Sequence, residues 1–168
     1  MQYFSSTAKL GILGGGQLGK MLLYTTRKWD ITTHVLDPSQ SAPAKLACDH
    51  FSQGDFKDYQ TVYDFGKHLD VITIEIEHVN TEALRQLEKE GVQVYPSSAT
   101  LELIQNKGVQ KDFYQQNQIP TSKHQRFENT AVLRQALETG KLNYPFVWKA
   151  ALMGYGGNGV GIIRSKQE

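Results

Sequence analysis

A single cysteine, Cys48, excludes an intramolecular disulfide framework. No apolar run approaches the roughly 20 residues that span a bilayer. The stretch from Met1 to Lys9 has neither the basic start nor the long apolar core of a signal peptide. The expected compartment is therefore a reducing cytoplasm, with no membrane partner. An excess of one charge is also missing: 18 Lys and Arg against 17 Asp and Glu leave a net charge of +1. That balance excludes a basic nucleic-acid-binding surface and an acidic tail alike. There is no internal repeat, no low-complexity tract and no proline-rich linker. The prolines mark turns instead, as at Asp37-Pro38, Tyr95-Pro96, Ile119-Pro120 and Tyr144-Pro145. His and Cys residues are scattered, without metal-ligand spacing. What remains is ordinary for a globular chain of 168 residues, with 39% hydrophobic and 21% charged side chains. It is long enough for one domain, or for one domain and the start of another.

Short apolar runs alternate with stretches of helical spacing. Strands are expected at 9–13, 32–36, 71–77 and 92–95, with a connection or short strand around Phe51. Helices are expected at 17–28, 59–68 and 81–90, and a short one at 42–48. Such alternation predicts a parallel, doubly wound α/β sheet over residues 1–100. Beyond Pro96 the texture changes. Helices are expected at 98–104, 107–118 and 131–139, the last capped by Asn129-Thr130. Strands at 146–150 and 160–164 flank a glycine-rich loop, which predicts a hairpin in a second, unfinished domain over residues 101–168.

Gly14, Gly16 and Gly19 form the pattern GxGxxG after a strand and at the start of a helix. In such a turn one glycine permits the bend, one lets a ligand approach the backbone, and one allows close helix–strand packing. The helix start then offers N–H groups to a phosphate, with Gly15, Gln17 and Leu18 beside it. Asp37, about 20 residues on, stands where a dinucleotide fold places its ribose-binding acid. The same glycines would also serve a tight turn with no ligand. Glu75 and Glu77 close the fourth strand, and a period of two points both to one face at the crevice end of the sheet. Glu75 is the candidate substrate-binding acid, unless both carboxylates are merely solvated; His78 reads as structural.

Lys149 ends the apolar strand that leads into the second cluster: Gly154, Tyr155, Gly156, Gly157, Asn158, Gly159 and Val160. A loop this rich in glycine can fold its N–H groups over phosphates, and a lysine leading into it supplies a compact charge. It is not a P-loop, because no Gly-Lys-Ser/Thr ending and no helix follow. Lys107, at a helix start, could be a second cation for the same phosphates, although alone it would also fit a solvated helix residue.

Several segments in order resemble the ATP-grasp superfamily, and within it the 5-(carboxyamino)imidazole ribonucleotide synthetases. They are Gly11-Ile12-Leu13-Gly14-Gly15-Gly16-Gln17-Leu18-Gly19-Lys20-Met21-Leu22, Leu36-Asp37-Pro38, Gly54-Asp55-Phe56 and Val71-Ile72-Thr73-Ile74-Glu75-Ile76-Glu77-His78-Val79. Gln105-Asn106-Lys107, Gln110-Lys111 and Pro145-Phe146-Val147-Trp148-Lys149 complete the set. The resemblance implies a Rossmann-like pre-ATP-grasp domain followed by the beginning of an ATP-grasp domain. It implies ATP at Lys107, Lys149 and the loop Gly154, Tyr155, Gly156, Gly157, Asn158, Gly159, Val160. It places the nucleotide substrate at Gly14, Gly15, Gly16, Gln17, Leu18 and Glu75. The implied activity is ATP- and Mg2+-dependent carboxylation of aminoimidazole ribonucleotide with bicarbonate, in purine biosynthesis, by a homodimer. The loop departs from the family pattern at Gly156, Asn158 and Val160, where an acid, a base and a Gln are usual. The family runs well beyond this length, so the chain is expected to be an N-terminal portion, inactive alone, with catalytic and magnesium-binding residues elsewhere. The alternatives are another ATP-grasp ligase or carboxylase, an NAD-binding oxidoreductase domain, or a nucleotide-binding fragment.

Overall fold

The computed structural model describes residues 7–152 and 159–167. The chain divides into two compact units, Met1–Glu102 and Leu103–Glu168.

The first unit is built on five parallel strands: β1 (Lys9–Leu13), β2 (Thr32–Asp37), β3 (His50–Gln53), β4 (Val71–Ile74) and β5 (Gln93–Tyr95). Their order is β3-β2-β1-β4-β5, so the winding reverses between β1 and β4. Ligand crevices of open α/β sheets lie at such a reversal, outside the carboxyl ends of the strands. Helices α1 (Gln17–Thr26), α2 (Tyr59–Gly66) and α3 (Thr81–Lys89) connect the strands, and α4 (Ser98–Gln105) follows β5. Both faces of the sheet are covered, which is why its strands read as apolar runs rather than alternating ones. Leu13, Leu36, Ile72, Val62, Leu84 and Leu87 fill one side. Ile12, Val35, Leu23 and Ala44 fill the other. Adjacent Ile12 and Leu13 thus serve opposite cores, as the two-residue period of a strand requires. Asp58 caps α2 by accepting from Thr61 N at 2.8 Å, and Asn80 caps α3 by accepting from Ala83 N at 2.9 Å.

Two expectations for this unit need correction. Residues 42–48 form successive turns instead of a short helix. Lys45 N bonds Ala42 O and Ala47 N bonds Ala44 O, whereas the N–H of Ala44 goes to Gly15 O at 2.9 Å. One bond of helical span, Cys48 N to Ala44 O at 3.2 Å, is too little to propagate a helix, and Ala44 packs into the core. The fourth strand ends at Ile74 rather than 77. Its neighbour β1 ends at Leu13 and turns away at Gly14, so after Glu75 N bonds Leu13 O at 2.8 Å the ladder has no further partner.

The second unit contains α5 (Lys107–Gln116), α6 (Thr130–Glu138) and an antiparallel hairpin of β6 (Phe146–Lys149) and β7 (Val160–Ile163). Asn106 caps α5 by accepting from Gly108 N and Val109 N, and Asn129 caps α6 by accepting from Val132 N. Among the described residues, no helix is long and apolar enough to cross a membrane.

Candidate functional site

The glycine turn of the first unit closes β1 and opens α1. Gly14 has φ +101°, a conformation that side-chain-bearing residues rarely adopt. Gly16 is the N-cap of α1 and has no side chain with which to cap it, and the first turn carries no acid. The N–H groups at this helix start therefore favour negative charge from elsewhere. Glu75 provides it. A Cβ on Gly14 would lie 2.5 Å from Glu75 Oε2, and one on Gly16 would lie 2.6 Å from Glu75 Oε1. The carboxylate thus rests directly on the turn. Gly19 meets a different neighbour: its Cβ would stand 2.8 Å from the carbonyl oxygen of Gly14, so the helix packs on the strand end with no room for a methyl group.

Asp37 is placed differently from a ribose-binding acid. Its Oδ2 accepts from Gly15 N at 2.7 Å and its Oδ1 from Ser39 N at 2.8 Å. The carboxylate is spent on fastening the turn, because the end of β2 lies beside the end of β1. A shallow cleft of about 150 Å³ opens next to the turn, lined by Ile12, Gly19, Leu22, Thr73, Ile74 and Glu75, with Leu18 at its rim. Thr73 and Ile74 escaped the sequence reading because they look like any strand residues; only the winding reversal brings them to the crevice. Gln17 is exposed, and Leu18 is 67% exposed. Glu77 Oε1 lies 3.9 Å from His78 Nε2.

In the second unit, Lys107 is the first residue of α5 and Lys149 the last of β6. Lys107 N donates to Ala151 O at 2.8 Å, so the helix start is pinned two residues beyond Lys149. Arg126 crosses the same helix start, since a Cβ on Gly108 would lie 2.8 Å from its Nε, and it also pairs with Asp112. Lys149 stands opposite Val160 in the hairpin, and Gly159, at φ +68°, leads into that strand. Gly154, Tyr155, Gly156, Gly157 and Asn158 lie outside the described residues. Among the described residues, no group of three or more His, Cys, Asp or Glu could hold a metal ion.

Residues 7–105 match the model of the ribonucleotide synthetase preATP-grasp domain. The chain is 37% identical over 165 residues to a phosphoribosylaminoimidazole carboxylase of Candida glabrata, covering 95% of this chain and 28% of that protein. It is similar to the crystal structure of a carboxyaminoimidazole ribonucleotide synthase from Aspergillus clavatus complexed with ATP, with TM-score 0.86 and 35% identity over 96% of this chain and 42% of that one. An Aspergillus clavatus structure holding ADP and 5-aminoimidazole ribonucleotide matches with TM-score 0.82 and 33% identity, over the same shares of the two chains. The chain thus spans well under half the length of these relatives.

Proposed function

The chain belongs to the ribonucleotide synthetase preATP-grasp domain family, and from that premise we propose that it forms part of an ATP-dependent enzyme that carboxylates aminoimidazole ribonucleotide with bicarbonate. The observation that carries this reading is the continuity of the likeness: at 35% identity it runs through 96% of the chain, both units included, to a synthase crystallised with ATP. The first unit is the substrate side, with Glu75 and the turn of Gly14, Gly15, Gly16, Gln17 and Leu18 at the crevice end of the sheet. The second unit is the ATP side, a reading supported by the start of α5 at Lys107 being hydrogen-bonded to Ala151, two residues beyond Lys149.

ATP, when bound, supplies the phosphoryl group that activates bicarbonate. The chain's own residues position and neutralise. Phosphoryl transfer depends mainly on in-line placement and on cations that meet the developing charge, and the two lysines serve that purpose. Magnesium ligands are proposed to lie in the part of the relatives' length that this chain does not span. The intact enzyme is proposed to be a cytoplasmic homodimer of purine biosynthesis.

In the intact enzyme, Lys149→Ala should weaken ATP binding by about 10- to 100-fold, the range of a charge-assisted phosphate contact of roughly 1.5–3 kcal/mol. Binding of aminoimidazole ribonucleotide, titrated separately, should hold. Unchanged ATP affinity would remove Lys149 from the site, and absence of phosphate release on adding aminoimidazole ribonucleotide and bicarbonate would refute the activity.

A further inference from the structure

Residues directly opposite one another in an antiparallel pair share a face. In the hairpin of the second unit, Val147 stands opposite Ile162 and Lys149 opposite Val160, which puts these four on one face. Trp148 and Gly161 are paired on the other. That pair sets the largest side chain against none. A glycine inside a strand weakens it and often marks a close approach. Here the approach comes from the indole: a Cβ on Gly161 would run into Trp148 Nε1 and stand 3.0 and 3.2 Å from its Cδ1 and Cε2. The ring therefore lies across the bare backbone of Gly161, while Trp148 stays 43% exposed. On the other side of Lys149, Ala150 N donates to Gly159 O at 2.7 Å. Lys149 thus sits between an indole contact and a cross-strand hydrogen bond.

We infer that Trp148 is a positioning residue for Lys149: its indole, laid across Gly161, fixes the register of β6 on β7 and so holds Lys149 opposite Val160. A hairpin of two strands is marginal alone, and a slip of one residue turns every side chain to the other face. An aromatic ring covering a strand glycine is a device that pins register. Here a slip of one residue would set Trp148 against Val160 or Ile162, both β-branched, where the indole has no bare backbone to lie on. The same slip would carry Lys149 away from its place opposite Val160. This inference rests on the reading of Lys149 as a cation for the ATP phosphates.

The test reads two quantities in the intact enzyme: hydrogen exchange at Ala150 N–H, which reports the pairing, and ATP affinity. Trp148→Ala should speed the exchange and weaken ATP binding together, each by about three- to fivefold, the worth of one good cross-strand pair. Trp148→Phe, which keeps a ring over the glycine, should stay close to the wild type. Gly161→Ala gives the sharper result. In an open strand position alanine would strengthen the strand, but here its methyl group evicts the indole, so the same two losses are expected. In the Trp148→Ala background the sign should reverse, with Gly161→Ala slowing the exchange again. Gly161→Ala in the wild type decides the matter if Trp148→Ala does not fold. Lys149→Ala is run beside them. If it weakens ATP binding while the Trp148 and Gly161 variants do not, the inference is overturned and the carboxylase reading stands. If Lys149→Ala leaves ATP affinity unchanged, the assignment of Lys149 to ATP fails and the inference falls with it. A Gly161→Ala variant that slows the exchange in the wild type overturns the indole contact itself.

Discussion

Replacing Gly19 with alanine sets two opposing effects against each other, and the structure decides between them. Gly19 lies inside α1, where alanine is the better helix former by about 1 kcal/mol. On propensity alone the variant should therefore be more stable. The added methyl group, however, would stand 2.8 Å from the carbonyl oxygen of Gly14, closer than real Cβ contacts come. That neighbour is backbone, held by the turn, so it cannot swing aside as a side-chain end can. Either α1 lifts from the sheet or the turn at Gly14 distorts, and overpacking of this kind costs about 1–3 kcal/mol. The net expectation is a loss of roughly 1 kcal/mol, which for a unit of this size lowers the melting midpoint by about 4–8 °C. Urea and thermal denaturation followed by circular dichroism measure it. Thr25→Ala, at an exposed position of the same helix, is the control, and should raise stability by a few tenths of a kcal/mol. If Gly19→Ala matches or exceeds the wild type, the close packing of helix on strand end is wrong, and with it the geometry that sets Glu75 over the turn.

Two further expectations concern pH. Burial, then the positive charge of the stacked His50 ring at 4.4 Å and of Lys9, holds the His34 imidazole below its ordinary 6.5, with Asp49 opposing. A folded value below the unfolded one means that stability is complete above about pH 6.5 and is lost as pH falls through that value toward the folded one. Urea midpoints at about pH 7.5 and 5.5 should therefore differ, and His34→Phe, which keeps the ring and removes the titration, should flatten the difference; a slope that survives in this variant would refute the assignment. Asp49 behaves oppositely: burial pushes its carboxyl up, but the N–H and hydroxyl of Thr33 and the guanidinium of Arg27 outweigh it and hold the value below 3.8. Its contribution is present above about pH 4 and fades as pH falls below that, so Asp49→Asn should cost about 1–3 kcal/mol at neutral pH and make the acid limb shallower. An unchanged acid limb would show that these contacts do not govern it.

The order of elements in the first unit was legible because each core-facing run is bounded by turn chemistry. The strand expected at 9–13 is β1, Lys9–Leu13, and Asn129 caps α6 as its position suggested. The misreadings fall where a partner distant in sequence decides. Residues 42–48 stay as turns docked on the glycine turn, where Ala44 N donates to Gly15 O and Ala44 enters the core. The strand expected to reach 77 stops at Ile74 because its neighbour β1 has already turned. Lys107 and Ala151 belong to elements far apart in the chain, and no periodicity could predict the backbone hydrogen bond from Lys107 N to Ala151 O that joins them.

Local pattern was least informative at the glycine turn itself. Gly14, Gly16 and Gly19 prescribe a backbone shape, and the structure has that shape. A backbone shape does not specify the charge it will accept. That is set by Asp37 at the end of β2 and Glu75 just past β4, whose strands flank β1 on either side. Asp37 holds the Gly15 N–H and fastens the turn, and the Glu75 carboxylate rests on it. The identity of a ligand at such a motif is therefore better sought in the residues that end the neighbouring strands than in the glycines, and Glu75→Gln, which changes one charge and almost no volume, separates the two contributions.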